Sequence, residues 1–147
     1  MFTYDVQHGG DPHDKYEIKG QTDYDNFILV FEAFPWLDEI EKSNANPYGS
    51  SPTLSVKNQT DNRDLWVSMA GDRTYYGYLV GYVYPKTTKG VFGFGKARTF
   101  SWVEIYLTEE KQLIKDYFKI YFDKNYDRLH YEIKKLDKFG EAKTQNQ

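Results

Sequence analysis

The chain has 147 residues, the length of one ordinary domain, which can bury about 70% of the surface that its unfolded form exposes. It has no cysteine, which excludes disulfides and thiolate metal sites, and no apolar run approaches the roughly 20 residues of a membrane span. Aromatic residues make up 18% of the chain and the formal net charge is −3. The first residues show no basic segment followed by an apolar one, so we expect a cytoplasmic protein.

The first third of the chain predicts edge strands followed by a broken helix. Residues 2–6 and 16–19 can form short strands. Thr22 or Asp23 can cap a helix with a broad apolar face, and Pro35 ends or kinks that helix before a continuation over residues 36–40.

Alternating residues in the middle of the chain predict four strands. They cover residues 53–57, 65–69, 75–84 and 99–107, and Pro85 is expected to end the third. The short connections between them favour an antiparallel meander.

The apolar spacing changes to three and four residues after Thr108. It predicts one helix that begins at Glu109 and Glu110 and a second from Tyr126 to Leu136, before a flexible polar tail from about 140 to 147. Strands followed by helices favour an α+β fold. We therefore expect a single domain over 1–147, with an antiparallel meander sheet of four strands or slightly more, an N-terminal helix and two C-terminal helices packed on it.

The two long predicted strands have chemically different faces. One face combines glycines with aliphatic residues, and the other carries most of the tyrosines together with Trp102 and Glu104. If the helices cover the aliphatic face, the aromatic face becomes a docking surface with Tyr78, Tyr82, Trp102 and Glu104 as candidate contacts. If the helices cover the aromatic face, these residues belong to the core.

Charge is unevenly distributed along the chain. Residues 1–47 hold ten acidic residues and three lysines, whereas the remainder holds sixteen basic and twelve acidic residues. The acidic third could attract a basic protein, or it could be an ordinary solvated surface. Its candidate partner contacts are Asp23, Asp25, Glu32, Asp38 and Glu39.

A glycine-rich segment over residues 90–96 approaches two nucleotide-related motifs without matching either. Ala97 stands where a phosphate-binding loop needs Ser or Thr, and a strand follows instead of a helix. The segment also approaches an RNA-recognition signature, but the acidic chain disfavours nucleic-acid binding. Phe92 and Phe94 can fold back onto the core or anchor a partner.

Residues suited to catalysis or metal binding are few. His8 and His13 lie near Asp11 and Asp14, but their spacing fits no zinc pattern. Glu104, between aromatic residues, is the carboxylate whose pKa burial could raise. We expect no enzyme activity, no metal and no cofactor.

The chain resembles the small bacterial immunity proteins that neutralise polymorphic or contact-dependent toxins. Residues 53–137 carry the resemblance, above all 79–85 and 101–106, through an aromatic antiparallel sheet followed by closing helices. The resemblance implies a cytosolic inhibitor that binds a toxin domain, and the acidic third would complement a basic one. The alternatives are an adaptor module that uses the aromatic face and, from another class, a small-molecule-binding protein or enzyme with an aromatic pocket.

Overall fold

The computed structural model describes residues 1–89 and 95–144. This part of the chain forms a seven-stranded antiparallel sheet and four helices, so the fold is α+β. The strands are β1 (Thr3–Gln7), β2 (Glu17–Gln21), β3 (Thr53–Asn58), β4 (Arg63–Gly71), β5 (Tyr76–Thr88), β6 (Arg98–Thr108) and β7 (Asp137–Lys143). The helices are α1 (Tyr24–Ala33), α2 (Trp36–Ala45), α3 (Lys111–Phe122) and α4 (Tyr126–Ile133).

The sheet is a meander extended at both ends. Its order is β2-β1-β3-β4-β5-β6-β7, and β3 to β6 follow one another as the sequence predicts. The β1–β2 hairpin is added beside β3, and β7 is added beside β6. Both outer strands have little apolar surface to bury. The sheet has seven strands, more than the four or slightly more that the sequence predicts.

The helices fill the two long connections of the sheet. α1 and α2 join β2 to β3, and α3 and α4 join β6 to β7. The Asp23 carboxylate caps α1 by accepting a hydrogen bond of 2.9 Å from the backbone N–H of Asn26. Pro35 separates α1 from α2, as expected from its missing N–H. None of the helices in the described ranges is long and apolar enough to cross a membrane.

Aromatic rings dominate the interface between the helices and the sheet. Phe27 of α1 packs on Phe118 of α3 with ring centroids 4.5 Å apart. The Tyr121 hydroxyl donates to the carbonyl of Val56 at 3.2 Å and to that of Arg63 at 2.8 Å. These bonds join α3 to the β3–β4 hairpin while satisfying a fully buried hydroxyl.

Two local expectations are wrong. Pro85 does not end β5, which continues to Thr88 and pairs Pro85 with Ser101 of β6. The pairing of β5 with β4 stops at Val83, so Pro85 lies where β5 has become an edge and its missing donor is tolerated. The tail predicted from Gly140 is instead part of β7 as far as Lys143.

Candidate functional site

All four helices pack against the aromatic face of the sheet. Tyr78 is 5% exposed, and its ring lies 5.8 Å from that of Trp36 in α2. Tyr82 is 2% exposed, 5.4 Å from the ring of His130 in α4. The helices therefore cover the aromatic face, which is the second of the two alternatives that the sequence left open. The expectation that Tyr78, Tyr82 and Glu104 meet a partner on an exposed surface is corrected, because the helices bury them.

Trp102 is the other aromatic candidate that the structure describes. Trp102 is half-buried, and the Lys86 Nζ lies 4.4 Å from the centroid of its ring. Its contact with a partner stays a prediction. Phe92 and Phe94 lie outside the described residues.

Glu39 holds the β1–β2 loop on α2. Its side chain is buried and accepts hydrogen bonds from the Gly9 backbone N–H at 2.7 Å and from His8 Nδ1 at 3.0 Å. A Cβ atom on Gly9 would fall 2.0 Å from the Glu39 carbonyl oxygen, so this approach requires glycine. Glu39 is therefore a structural residue, and its predicted contact with a partner is corrected.

The four other candidate acids lie on or next to α1 and α2, and most have partners within the chain. Asp23 caps α1, whereas Asp25 is exposed and has no ion pair within the described residues. The ion pairs of the others join distant parts of the chain: Glu32 with Lys111 and Lys115 at 2.8 and 2.9 Å, and Asp38 and Glu41 with Arg73 at 2.7 and 2.6 Å. Partner binding by Asp23, Asp25, Glu32 and Asp38 stays a prediction.

Over β4, β5 and β6, no helix or strand in residues 1–89 and 95–144 covers the opposite face of the sheet, which we call the uncovered face. Strand register brings Trp66 beside Gly81, Gly81 beside Ile105, and Leu79 beside Leu107. Leu107 is 41% exposed and its neighbours are half-buried. We call this contiguous surface the apolar strip; its residues are Trp66, Leu79, Val83, Val103, Ile105 and Leu107.

The centre of the apolar strip depends on one glycine. A Cβ atom on Gly81 would lie 1.9 Å from the indole ring of Trp66. The ring therefore lies flat across β5 in the space that a side chain would fill. This arrangement presents an aromatic face at the surface with little freedom to move.

A polar cavity of about 350 Å³ adjoins the strip on the β1–β3 side. The cavity holds two carboxylates and one lysine, and Lys57 Nζ lies 3.3 Å from the Asp5 carboxylate. Lys57 of β3 also lies directly opposite Asp64 of β4 in the strand register. We call this space the acidic cavity; the side chains that matter below are Asp5, His13, Tyr16, Lys57 and Asp64.

Asp64 is the perturbed acid of this cavity. Burial raises its pKa from 3.8 to about 6, the nearby charge of Lys57 opposes the rise, and the charge of Asp5 adds to it. An acid that is partly protonated near neutral pH on an uncovered face is typical of a binding or catalytic position.

A second polar cluster lies beneath α4, around Glu104. This carboxylate is 5% exposed and accepts hydrogen bonds from the Tyr84 hydroxyl, from the Tyr106 hydroxyl at 2.6 Å and from His130 Nε2 at 2.9 Å. A depression of about 530 Å³ opens above it, with Lys86, Lys134 and Lys138 among its lining residues.

The hydrogen bonds decide the chemistry of Glu104. Burial would raise its pKa, but the bonds from Tyr106, Tyr84 and His130 outweigh burial and lower the pKa to about 2. The expected rise is therefore wrong. A carboxylate with so low a pKa is a weak base near neutral pH, so this cluster is suited to holding α4 on the sheet rather than to moving protons.

Sequence reasoning found the aliphatic part of the uncovered face and missed the rest. Leu79, Val83, Val103, Ile105 and the two β5 glycines were assigned to one face, but Trp66 and the acidic cavity were not. The signal for Trp66 was its place in the β4 alternation, opposite Leu65 and Val67. Nothing in the sequence places Asp5 beside Asp64, because that contact requires β1 to join the sheet next to β3.

The histidines and acids of the β1–β2 loop do not assemble a metal centre. Among residues 1–89 and 95–144, no group of three or more His, Cys, Asp or Glu side chains could hold a metal ion.

No family model, no curated protein and no solved structure matches the chain. Its function therefore has to follow from the geometry of the molecule.

Proposed function

We propose that this chain is a non-catalytic domain that binds a protein partner through the uncovered face of its sheet, and that it is an immunity protein which neutralises a cognate bacterial toxin. The observation that carries the proposal is the apolar strip. An antiparallel sheet covered on one side ordinarily turns polar residues to the other side. Here the other side carries a tryptophan and five aliphatic residues.

The composition of the strip suits a protein rather than a nucleic acid. Contiguous exposed apolar patches mark interaction sites, and tryptophan is among the residues that contribute most to binding energy. Asp5 and Asp64 lie next to the strip and would repel phosphates, whereas they would attract a basic protein surface. A basic toxin domain, of the kind that the family resemblance implies, meets both requirements.

The test begins with the purified chain as bait in a lysate of its source organism. We expect one stoichiometric protein partner, and we expect that partner to inhibit cell growth when expressed alone but not together with this chain. Calorimetry would then compare two variants. Leu107→Asp, in the strip, should weaken binding at least about tenfold, because it places a charge in a desolvated contact.

Leu29→Asp is the matched control, since Leu29 is also an exposed leucine (68%) but lies on α1, on the helix side. It should bind like the wild type. If both variants lose affinity for the partner equally, or if neither loses affinity, the partner does not bind through the uncovered face. A partner that binds through this face but is harmless to cells would favour the adaptor alternative.

A further inference from the structure

Two cavities adjoin one another on the uncovered face. The acidic cavity lies over β1, β3 and the start of β4, and a second space of about 300 Å³ lies between it and the apolar strip. Gln7, Thr53 and Ser55 line both, and Trp66 and Leu79 line only the second. We call the second space the Trp66 cavity. A group extended across Thr53 and Ser55 would reach carboxylates at one end and an indole ring at the other.

The acidic cavity contains more negative than positive charge. Asp5 and Asp64 contribute two carboxylates, and Lys57 contributes one ammonium group, which lies close to Asp5. His13 and Tyr16 of the β1–β2 loop complete its titratable groups. With both carboxylates ionised and His13 neutral, one further cation would balance the charge of the cavity.

Asp64 has the most to gain from such a cation. Its carboxylate is desolvated enough that its pKa rises to about 6 despite the presence of Lys57. A positive charge placed beside it would favour the ionised form and offset that desolvation. The aliphatic side chain of Val83 in the cavity wall would contact the carbon stem of a long basic side chain.

We propose that the acidic cavity receives one arginine or lysine side chain of the protein partner, while a neighbouring apolar side chain of the same segment packs on Trp66 in the second cavity. This inference rests on the proposed function, because it specifies what the uncovered face recognises. The partner segment is thus a basic residue next to an apolar one.

Two synthetic probes test the inference without a known partner. Acetyl-Arg-Leu-amide carries the cation, and acetyl-citrulline-Leu-amide is nearly identical in shape but neutral. Titration of each into the isotope-labelled chain by NMR should give saturable shifts at Asp5, Asp64 and the Trp66 indole for the arginine probe. The citrulline probe should bind about tenfold more weakly.

Variants separate the cavity from general electrostatic attraction. Asp64→Asn should reduce the affinity of the arginine probe to that of the citrulline probe, whereas Asp127→Asn, at an exposed acid on α4, should change nothing. Binding of the arginine probe should strengthen as pH rises through about 6, and saturating probe should lower the carbon-detected pKa of Asp64. His13→Asn should keep this pH dependence, because the inference assigns it to Asp64 and not to the imidazole that also lines the cavity.

Several results would overturn the inference: equal affinity for the two probes, wild-type affinity in Asp64→Asn, or shifts outside the uncovered face. These results differ from failure of the proposed function. If Asp64→Asn leaves the affinity for the natural partner unchanged while Leu107→Asp abolishes it, the cation site is refuted and the protein-binding role stands. If the arginine probe binds as described but no partner protein exists, the cation site stands and the protein-binding role is refuted.

Discussion

Replacing Asp64 with asparagine should stabilise the protein above pH 6 and leave its stability almost unchanged at pH 4. The pKa of this carboxyl is 3.8 in the unfolded chain and about 6 in the folded one. The folded state therefore holds the proton more tightly, and stability falls as pH rises from about 4 to about 6. The rise in pKa corresponds to at most roughly 3 kcal/mol, and solvent access to the cavity reduces it toward about 2 kcal/mol.

Urea unfolding of the wild type and Asp64→Asn at pH 4 and pH 8 measures the effect. The increase in the free energy of unfolding of the variant over the wild type is measured at each pH. The increase at pH 8 minus that at pH 4 isolates the ionisation of Asp64, because every other titrating group is common to both proteins. An equal difference at the two pH values would refute the desolvation of Asp64. If Asp64→Asn is more stable than the wild type and also loses affinity for the arginine probe, Asp64 is an acid that serves binding at a cost in stability.

Two further predictions concern single side chains. Gly81→Ala should destabilise the protein by about 1–3 kcal/mol, because the new methyl group meets the ring of Trp66. Gly140→Ala is the control: no atom lies within 4 Å of its Cβ, so its free energy of unfolding should stay within about 0.5 kcal/mol of the wild type. Urea unfolding compares the two variants. Glu104→Gln should lower the melting temperature at pH 7. The ionised Glu104 stabilises the fold above pH 4.5, and that contribution is lost as pH falls toward 2, so the melting temperature of the variant should change less than that of the wild type between pH 5 and pH 2.5.

Local sequence signals predicted the elements that have strong local patterns. The β3–β6 meander follows from alternation between turn residues, and the α1–α2 break follows from Pro35. β7 was missed because only Phe139 and Ala142 in Asp137–Lys143 are apolar, with no alternation to mark a strand. An edge strand of this kind is fixed by its hydrogen bonds to β6 rather than by burial.

The orientation of the sheet could not be read from the sequence, because both faces of β5 and β6 carry apolar residues. The large rings fill the gap between the sheet and the helices, as the 5.8 Å contact of Tyr78 with Trp36 illustrates. Charge was equally ambiguous: Glu32 lies among the N-terminal acids, but its lysine partners come from α3, about 80 residues later in the chain. Position along the chain therefore does not locate a charged surface.

The uncovered face has an apolar end and an acidic end. Trp66 lies flat over Gly81, so the indole presents one face of its ring at the surface, and the strip continues onto short aliphatic side chains. At the other end, Asp5, Lys57 and Asp64 give the face charged groups. Because one end is acidic and the other apolar, a partner placed backwards would set its cation against Trp66 and leave Asp64 desolvated without a counter-charge. In the proposed binding mode, the face therefore opposes the reversed orientation through the same residues that favour the correct one.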